Sequence, residues 1–192
     1  MSAERLRQAA LIRFADQGYD VTTLADIASD VGIKPPSIYA HFRSKQALFQ
    51  EVMEFSFANE LEGAARILQR PEPVSTALKN YFYGTLHRFE NDPNLRFWLR
   101  SIYLPPRELV QEIRENDKQF AASLEKLIAR ALCHSQYGLR NSPLPHETLA
   151  ASFIGILRGL HAELLYCGNE NSNKILSALW TIFHNSLAEN AS

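Results

Sequence analysis

A chain of 192 residues with 46% hydrophobic content can bury a sizeable core, as one domain or two small ones. Its formal net charge of −1 excludes a globally basic nucleic-acid binder but not a local basic patch. No uninterrupted apolar run approaches the roughly 18 residues needed to cross a bilayer. The opening MSAERLRQAALIRF alternates charge with apolar groups and lacks the form of a cleavable leader, so a soluble, cytoplasmic protein without a membrane partner is expected.

In chain order, the periodicity is helical throughout, with no convincing strand. A first helix is expected from Ala3 to Gln17, with Leu6, Ala10 and Phe14 on one face and Gly18 ending it. A second, Leu24 to Asp30, follows Thr23, and Asp26 three residues on completes a capping-box pattern. A third begins at the proline pair. Ser44 is placed to cap a long fourth helix to Gln69, about 39 Å at 1.5 Å per residue, which RPEP closes. Further helices are expected over Val74 to Glu90, stopped by NDP, then Leu95 to Tyr103, stopped by Pro105 and Pro106, and Arg107 to Ser135. Beyond a loop with Gly138, Pro143 and Pro145 come Glu147 to Tyr166 and, after GNENS, Asn173 to Leu187. The expected fold is all-α with about nine helices.

The stretch DVGIKPPSIYAHFRSK, residues 30 to 45, raises the first functional question. Each proline disfavours helical angles in the residue before it, so a helix starting at Pro36 is expected, running to Phe42. Leu24, Ile27, Ala28, Val31, Ile33 and Ile38 give the two short helices a shared apolar interior, and Gly32 occupies the turn. This is the pattern of a helix-turn-helix, whose second helix fits a major groove. Between Ile33 and Gln50 lie Lys34, Arg43 and Lys45 with no acidic residue, which makes a local patch suited to phosphates.

Residues 18 to 49, GYDVTTLADIASDVGIKPPSIYAHFRSKQALF, resemble the DNA-binding signature of the TetR family of bacterial transcriptional regulators. The matching features are Gly-aromatic, Thr-Thr, Ile-Ala, Gly-Ile, Ile-Tyr-x-His-Phe, then Lys and Leu. They cover about the first 50 residues; the remainder is similar only in helix count and length. The resemblance implies an N-terminal three-helix DNA-binding domain, residues 1–50, and a helical ligand-binding and dimerisation domain, residues 51–192. It also implies that Thr23, Tyr39, His41 and Lys45 hold phosphates, while Lys34, Pro36, Ser37 and Ala40 approach base edges. Pro36 stands where many relatives carry glycine, alanine or serine, and Gln46 where an acid is frequent.

In the body, LAASFIGILRGLHAELLY, residues 149 to 166, is apolar almost all round and must bury more than one face. With the last helix it is expected to form a twofold, four-helix interface through Phe153, Gly155, Gly159, Leu160, Ile175, Leu179 and Ile182, so that a homodimer meets a palindromic operator. Among the aromatics of the middle helices, Trp98, Tyr103 and Phe120, with His161, are the candidates for binding a small apolar or aromatic effector. No cofactor and no metal ligands are expected. GxSxG, HExxH, Walker and Rossmann patterns are absent, the six histidines are scattered, and an enzyme is not expected. Cys133 and Cys167, without CxxC spacing, read as small buried hydrophobes. The alternative is an architectural or adaptor protein that binds DNA without a small ligand.

Overall fold

The computed structural model describes residues 3–134, 139, 144–166 and 172–187. Ser135, Gly138, Pro143, Cys167 and residues 168–171 lie outside the described residues. The described residues are all-α: α1 Ala3–Asp16, α2 Leu24–Asp30, a 3₁₀ helix Pro35–Ala40, α3 Lys45–Leu68, α4 Val74–Asn91, α5 Pro93–Tyr103, a 3₁₀ turn Arg107–Leu109, α6 Val110–His134, α7 His146–Tyr166 and α8 Ser172–Leu187. The chain divides into two compact units, Met1–Glu60 with Phe89–Glu115, and Leu61–Arg88 with Asn116–Ser192.

Three boundaries differ from the sequence reading for identifiable reasons. The third helix is a six-residue 3₁₀ helix and starts at Pro35, not Pro36. Both prolines occupy the first two positions, where an N–H would lack an intrahelical partner, and only Lys34 is left extended, at φ −72 and ψ 140. Second, α5 starts at Pro93 because Asp92 caps it, accepting from the Asn94 N–H at 2.8 Å; NDP both stops α4 and starts α5. Third, Arg107–Leu109 is a separate 3₁₀ turn ahead of α6.

In the first unit, α1 packs against α5 and α2. Leu6, Ala10, Leu11 and Phe14 of α1 are buried, as are Ile27, Ala28, Leu48, Phe49 and Phe97. The Phe49 ring is the hub: its centroid is 5.2 Å from Phe14, 5.1 Å from Tyr19 and 5.3 Å from Phe97. Such tilted and edge-on pairs add to the area burial that drives packing. Gly18 ends α1 at φ 89, a conformation that L side chains rarely adopt, and a Cβ there would come within 2.9 Å of the Arg100 guanidinium. Deeper in, Ser56 donates to the Asn94 carbonyl at 2.8 Å and Asn94 donates to Glu60 at 2.8 Å, so these buried polar groups satisfy one another.

In the second unit, α7 packs on α8. Phe153 is 5.2 Å from Phe183 and 6.3 Å from Phe82, and Trp180 lies 6.0 Å from Phe82. By length and mean hydropathy α7 would qualify to cross a bilayer, yet its Leu149, Phe153, Leu157, Leu160 and Leu164 are buried within the protein. Arg158 on α7 pairs with Asp117 on α6 at 2.8 Å. Cys133 was expected to be buried and is instead exposed, on the outer side of the last turn of α6 beside the buried Leu132.

Candidate nucleic-acid interface

The helix-turn-helix is built from its caps inward. At the start of α2 the Thr23 hydroxyl accepts from the Asp26 N–H at 3.1 Å, and Asp26 accepts in return from the Thr23 N–H at 3.0 Å. The Thr23 hydroxyl also donates to Asp26 at 2.6 Å, and these bonds hold the Asp26 carboxyl below its ordinary pKa. Gly32, at φ 75, turns the chain after α2, and the Ile33 N–H closes on the Ala28 carbonyl at 2.9 Å. Arg13 locks α1 to α2 through two bonds to Asp30, Nε at 2.6 Å and the terminal nitrogen at 2.7 Å, which keep the Asp30 carboxyl below its usual range.

Two anchors fix the 3₁₀ helix to this frame. Ile38 is wholly buried and Phe42 nearly so. The residues around these anchors face out: Lys34, Pro36, Ser37, Ala40 and His41 are exposed, as is Thr23 across the turn, and Tyr39 is 59% exposed. Tyr39 lines a groove of about 540 Å³ with Thr23, Ala25, Pro35, Arg43 and Lys45. The groove presents the Thr23 hydroxyl, the Tyr39 phenol and the Arg43 guanidinium, a set that suits a sugar-phosphate strand.

Lys45, implied by the resemblance to hold phosphate, has its ammonium directed into the protein. It donates to the carbonyls of Tyr19 at 2.8 Å and Thr22 at 3.1 Å, with that of Asp20 at 3.5 Å. The same group lies 4.2 Å from the centroid of the Tyr19 ring. Tyr19 in turn donates to Glu108 at 2.6 Å, and burial together with that bond raises its pKa far above the ordinary phenol value. A second link joins Gln50 to Glu112 at 2.8 Å. Sequence reasoning missed these ties because their partners are 89 and 62 residues apart and no local pattern marks them. It also passed over Val21, an apolar side chain 70% exposed beside the cap of α2.

The remaining candidates fall on separate elements. Trp98 is buried on α5, edge-on to Phe57 at 6.0 Å, and Tyr103 is half-buried at the end of the same helix. Phe120, buried on α6, and His161, partly exposed on α7, belong to the second unit. Burial, then the nearby Arg158 and Arg88 charges, push the His161 imidazole well below its ordinary pKa. Of the residues expected at a dimer interface, Phe153 and Leu160 are wholly buried in the chain's own core. Gly155 and Gly159 are exposed, Ile175 and Leu179 are half-buried, and Ile182 is 70% exposed.

Residues 6–52 match the model of the bacterial regulatory proteins of the tetR family. The HTH-type transcriptional repressor BdcR of Escherichia coli K12 is 32% identical over 89 residues, a match covering 46% of this chain and 45% of BdcR, so the chain spans less than half of that relative. The nucleoid occlusion factor SlmA of Marinobacter nauticus is 30% identical over 142 residues, covering 73% of this chain and 70% of SlmA. Among solved structures, reduced NemR of E. coli shares the fold with a TM-score of 0.77 at 17% identity, over 99% of both chains. A capped α2, a glycine turn and an outward-facing 3₁₀ helix in the matched segment complete the argument: the chain belongs to the TetR family of bacterial transcriptional regulators.

Proposed function

We propose that this regulator is a repressor that binds a palindromic DNA operator as a homodimer and is released by a small apolar or aromatic effector. One observation carries the DNA-binding part. The 3₁₀ helix is pinned from behind by Ile38 and Phe42, so Lys34, Pro36, Ser37, Tyr39, Ala40 and His41 stand together in solvent with Thr23 across the turn. In this reading residues 1–50 contact DNA and residues 51–192 sense the effector and dimerise in the cytoplasm. Pairing through the outer faces of α7 and α8 is supported by exposed Ile182 and by the small Gly155 and Gly159. The name of BdcR supports repression.

Effector binding is proposed at the candidates of each unit taken separately, Trp98 and Tyr103 in the first and Phe120 and His161 in the second, aromatic and polar groups of the kind that orient small ligands. Release needs only that the effector prefer one of two shapes of the dimer; α3, a single helix of 24 residues that begins in one unit and ends in the other, is the element to transmit it. A coupling of about 1 to 3 kcal/mol changes operator affinity roughly 5- to 150-fold. Similarity to a nucleoid occlusion factor favours a second reading, a DNA-binding architectural or adaptor protein without a small ligand.

Selection of bound fragments from a random duplex pool tests the proposal. An inverted repeat with half-site centres about 34 to 36 Å apart is expected. No enrichment at low salt refutes DNA binding, and a DNA-bound protein that no apolar or aromatic compound releases leaves the second reading.

A further inference from the structure

A cleft of about 410 Å³ lies wholly within the second unit, lined by α4 and α8. From α4 come Ser75, Thr76 and Lys79, and from α8 Thr181, His184 and Asn185. At 100° per residue each set spans only about 100° of its helix, so each forms one polar row. The buried Trp180 completes the lining. The volume falls in the range of sites that take small molecules.

The chemistry of the cleft is one-sided. It holds an ammonium, an imidazole, hydroxyls and a carboxamide and, among the described residues, no carboxylate. Glu72, the acid just ahead of α4, faces Asn80 instead, at 3.4 Å. The Thr181 hydroxyl is committed to the Ser177 carbonyl at 2.7 Å. The side chains of Ser75, Thr76, Lys79, His184 and Asn185, by contrast, make no hydrogen bond or ion pair to any described residue. Lys79 has only the Tyr83 ring, 6.0 Å from its ammonium, at the outer limit of a cation–π contact. Scattered over a surface, such groups are merely solvated. Gathered in two rows around one concavity, they focus a field that favours negative charge.

A phosphate suits this set better than a carboxylate does. The unspent side chains offer more donor hydrogens than two carboxylate oxygens accept, and no arginine stands among them to grip a planar carboxylate by two parallel bonds. A phosphate monoester presents three terminal oxygens and a charge of about −1.5 to −2, which a lysine meets as a point charge. The cleft is larger than a phosphate alone. The Trp180 and His184 rings, 5.8 Å apart, border the remaining space and suit an aromatic or heterocyclic group.

We propose that the cleft between α4 and α8 binds a small organic phosphate monoester, held by Lys79, Ser75 and Thr76 from one helix and by His184 and Asn185 from the other, with its organic group against Trp180. None of these residues belongs to the effector candidates named above. Around α8 the mean direction of Thr181, His184 and Asn185 lies about 130° from that of Ile175, Leu179 and Ile182. Pairing through the latter face therefore leaves the cleft open. A ligand there clamps the start of α4 to the end of α8 and stabilises the second unit by mass action.

Isothermal titration calorimetry of the full chain with phenyl phosphate, inorganic phosphate, benzoate and phenol tests the assignment. Saturable binding of phenyl phosphate is expected, with inorganic phosphate weaker and benzoate and phenol weaker still. Lys79→Met should weaken phenyl phosphate about ten-fold, the effect of losing one charge-assisted hydrogen bond, and His184→Leu should weaken it as well. Both variants are checked for folding by circular dichroism. Arg43→Met, which alters the DNA-facing groove, should leave phenyl phosphate affinity unchanged. Absence of saturable binding by either phosphate at millimolar concentration overturns the proposal, as does an affinity that survives in both cleft variants. Benzoate bound as tightly as phenyl phosphate overturns the phosphate assignment, and an affinity lost in Arg43→Met but kept in Lys79→Met moves the anion to the DNA-facing groove. Operator binding stands or falls separately, by the fragment selection above.

Discussion

Replacing Lys45 with methionine separates two roles that one lysine can play at the start of α3. The substitution keeps an apolar stem of similar length and deletes the charge. The ammonium donates to the Tyr19 and Thr22 carbonyls at 2.8 and 3.1 Å and sits 4.2 Å from the Tyr19 ring centroid. A hydrogen bond from a charged group contributes about 1.5 to 3 kcal/mol net, and a cation over an aromatic face about 0.5 to 1. Lys45 is partly exposed, so water replaces some of what is lost, and the expected cost is about 1 to 3 kcal/mol rather than the sum. In a chain of 192 residues that lowers the thermal midpoint by roughly 2 to 12 °C. If Lys45 positions the turn, the slope of log affinity against log salt stays at its wild-type value. Arg43→Met, by contrast, changes an exposed cation in the groove and should reduce that slope by roughly 0.9 per protomer with an unchanged midpoint. Circular dichroism melts and anisotropy titrations at several salt concentrations measure both. A Lys45→Met protein with an unaltered midpoint and a slope reduced by roughly 0.9 per protomer would refute the reasoning and return Lys45 to phosphate binding.

Ile38→Ala empties a wholly buried site behind the 3₁₀ helix and should cost about 2 to 5 kcal/mol, seen in denaturant unfolding; it should also weaken binding to every duplex, and an unchanged midpoint would contradict the anchoring role. The fold disfavours a proton on His161, whereas the unfolded chain takes one up as pH falls through about 6.5. The unfolded state then holds more protons, so stability should decline below that pH at up to about 1.4 kcal/mol per pH unit. His161→Gln should flatten that dependence in melts at pH 7, 6 and 5, and an equally steep decline in the variant would rule out His161 as its source. Ile182→Asp places a charge on an exposed apolar position of α8; the folded chain should keep its melting profile to within about 0.5 kcal/mol yet sediment as a monomer. A variant that remains dimeric would exclude that face.

Local signals in the sequence announced the helical fold and the outward-facing probe. Thr23 with Asp26 makes the capping box that its spacing suggests, and Ser44 caps α3 by accepting from the Ala47 N–H at 3.0 Å. The proline pair marked the right place but not the right helix. Choosing between 3.6 and 3.0 residues per turn over six residues depends on how Ile38 and Phe42 seat in the core, which is tertiary information. Lys45 shows the same limit: its place next to the 3₁₀ helix suggests a phosphate contact, while the three carbonyls of the preceding loop that converge on it are tertiary information. Tyr19 and Glu108 carry no mark of their pairing, because nothing local encodes a hydrogen bond across 89 residues.

The unit that holds the helix-turn-helix is sewn from two stretches of chain, and Phe97 from the later one closes the ring cluster around Phe49 and Phe14. Grafting only the first fifty residues onto another regulator's body would strip those rings of their cover and leave Tyr19 without its carboxylate acceptor. A working chimera must transplant α5 and the turn after it together with the reading head.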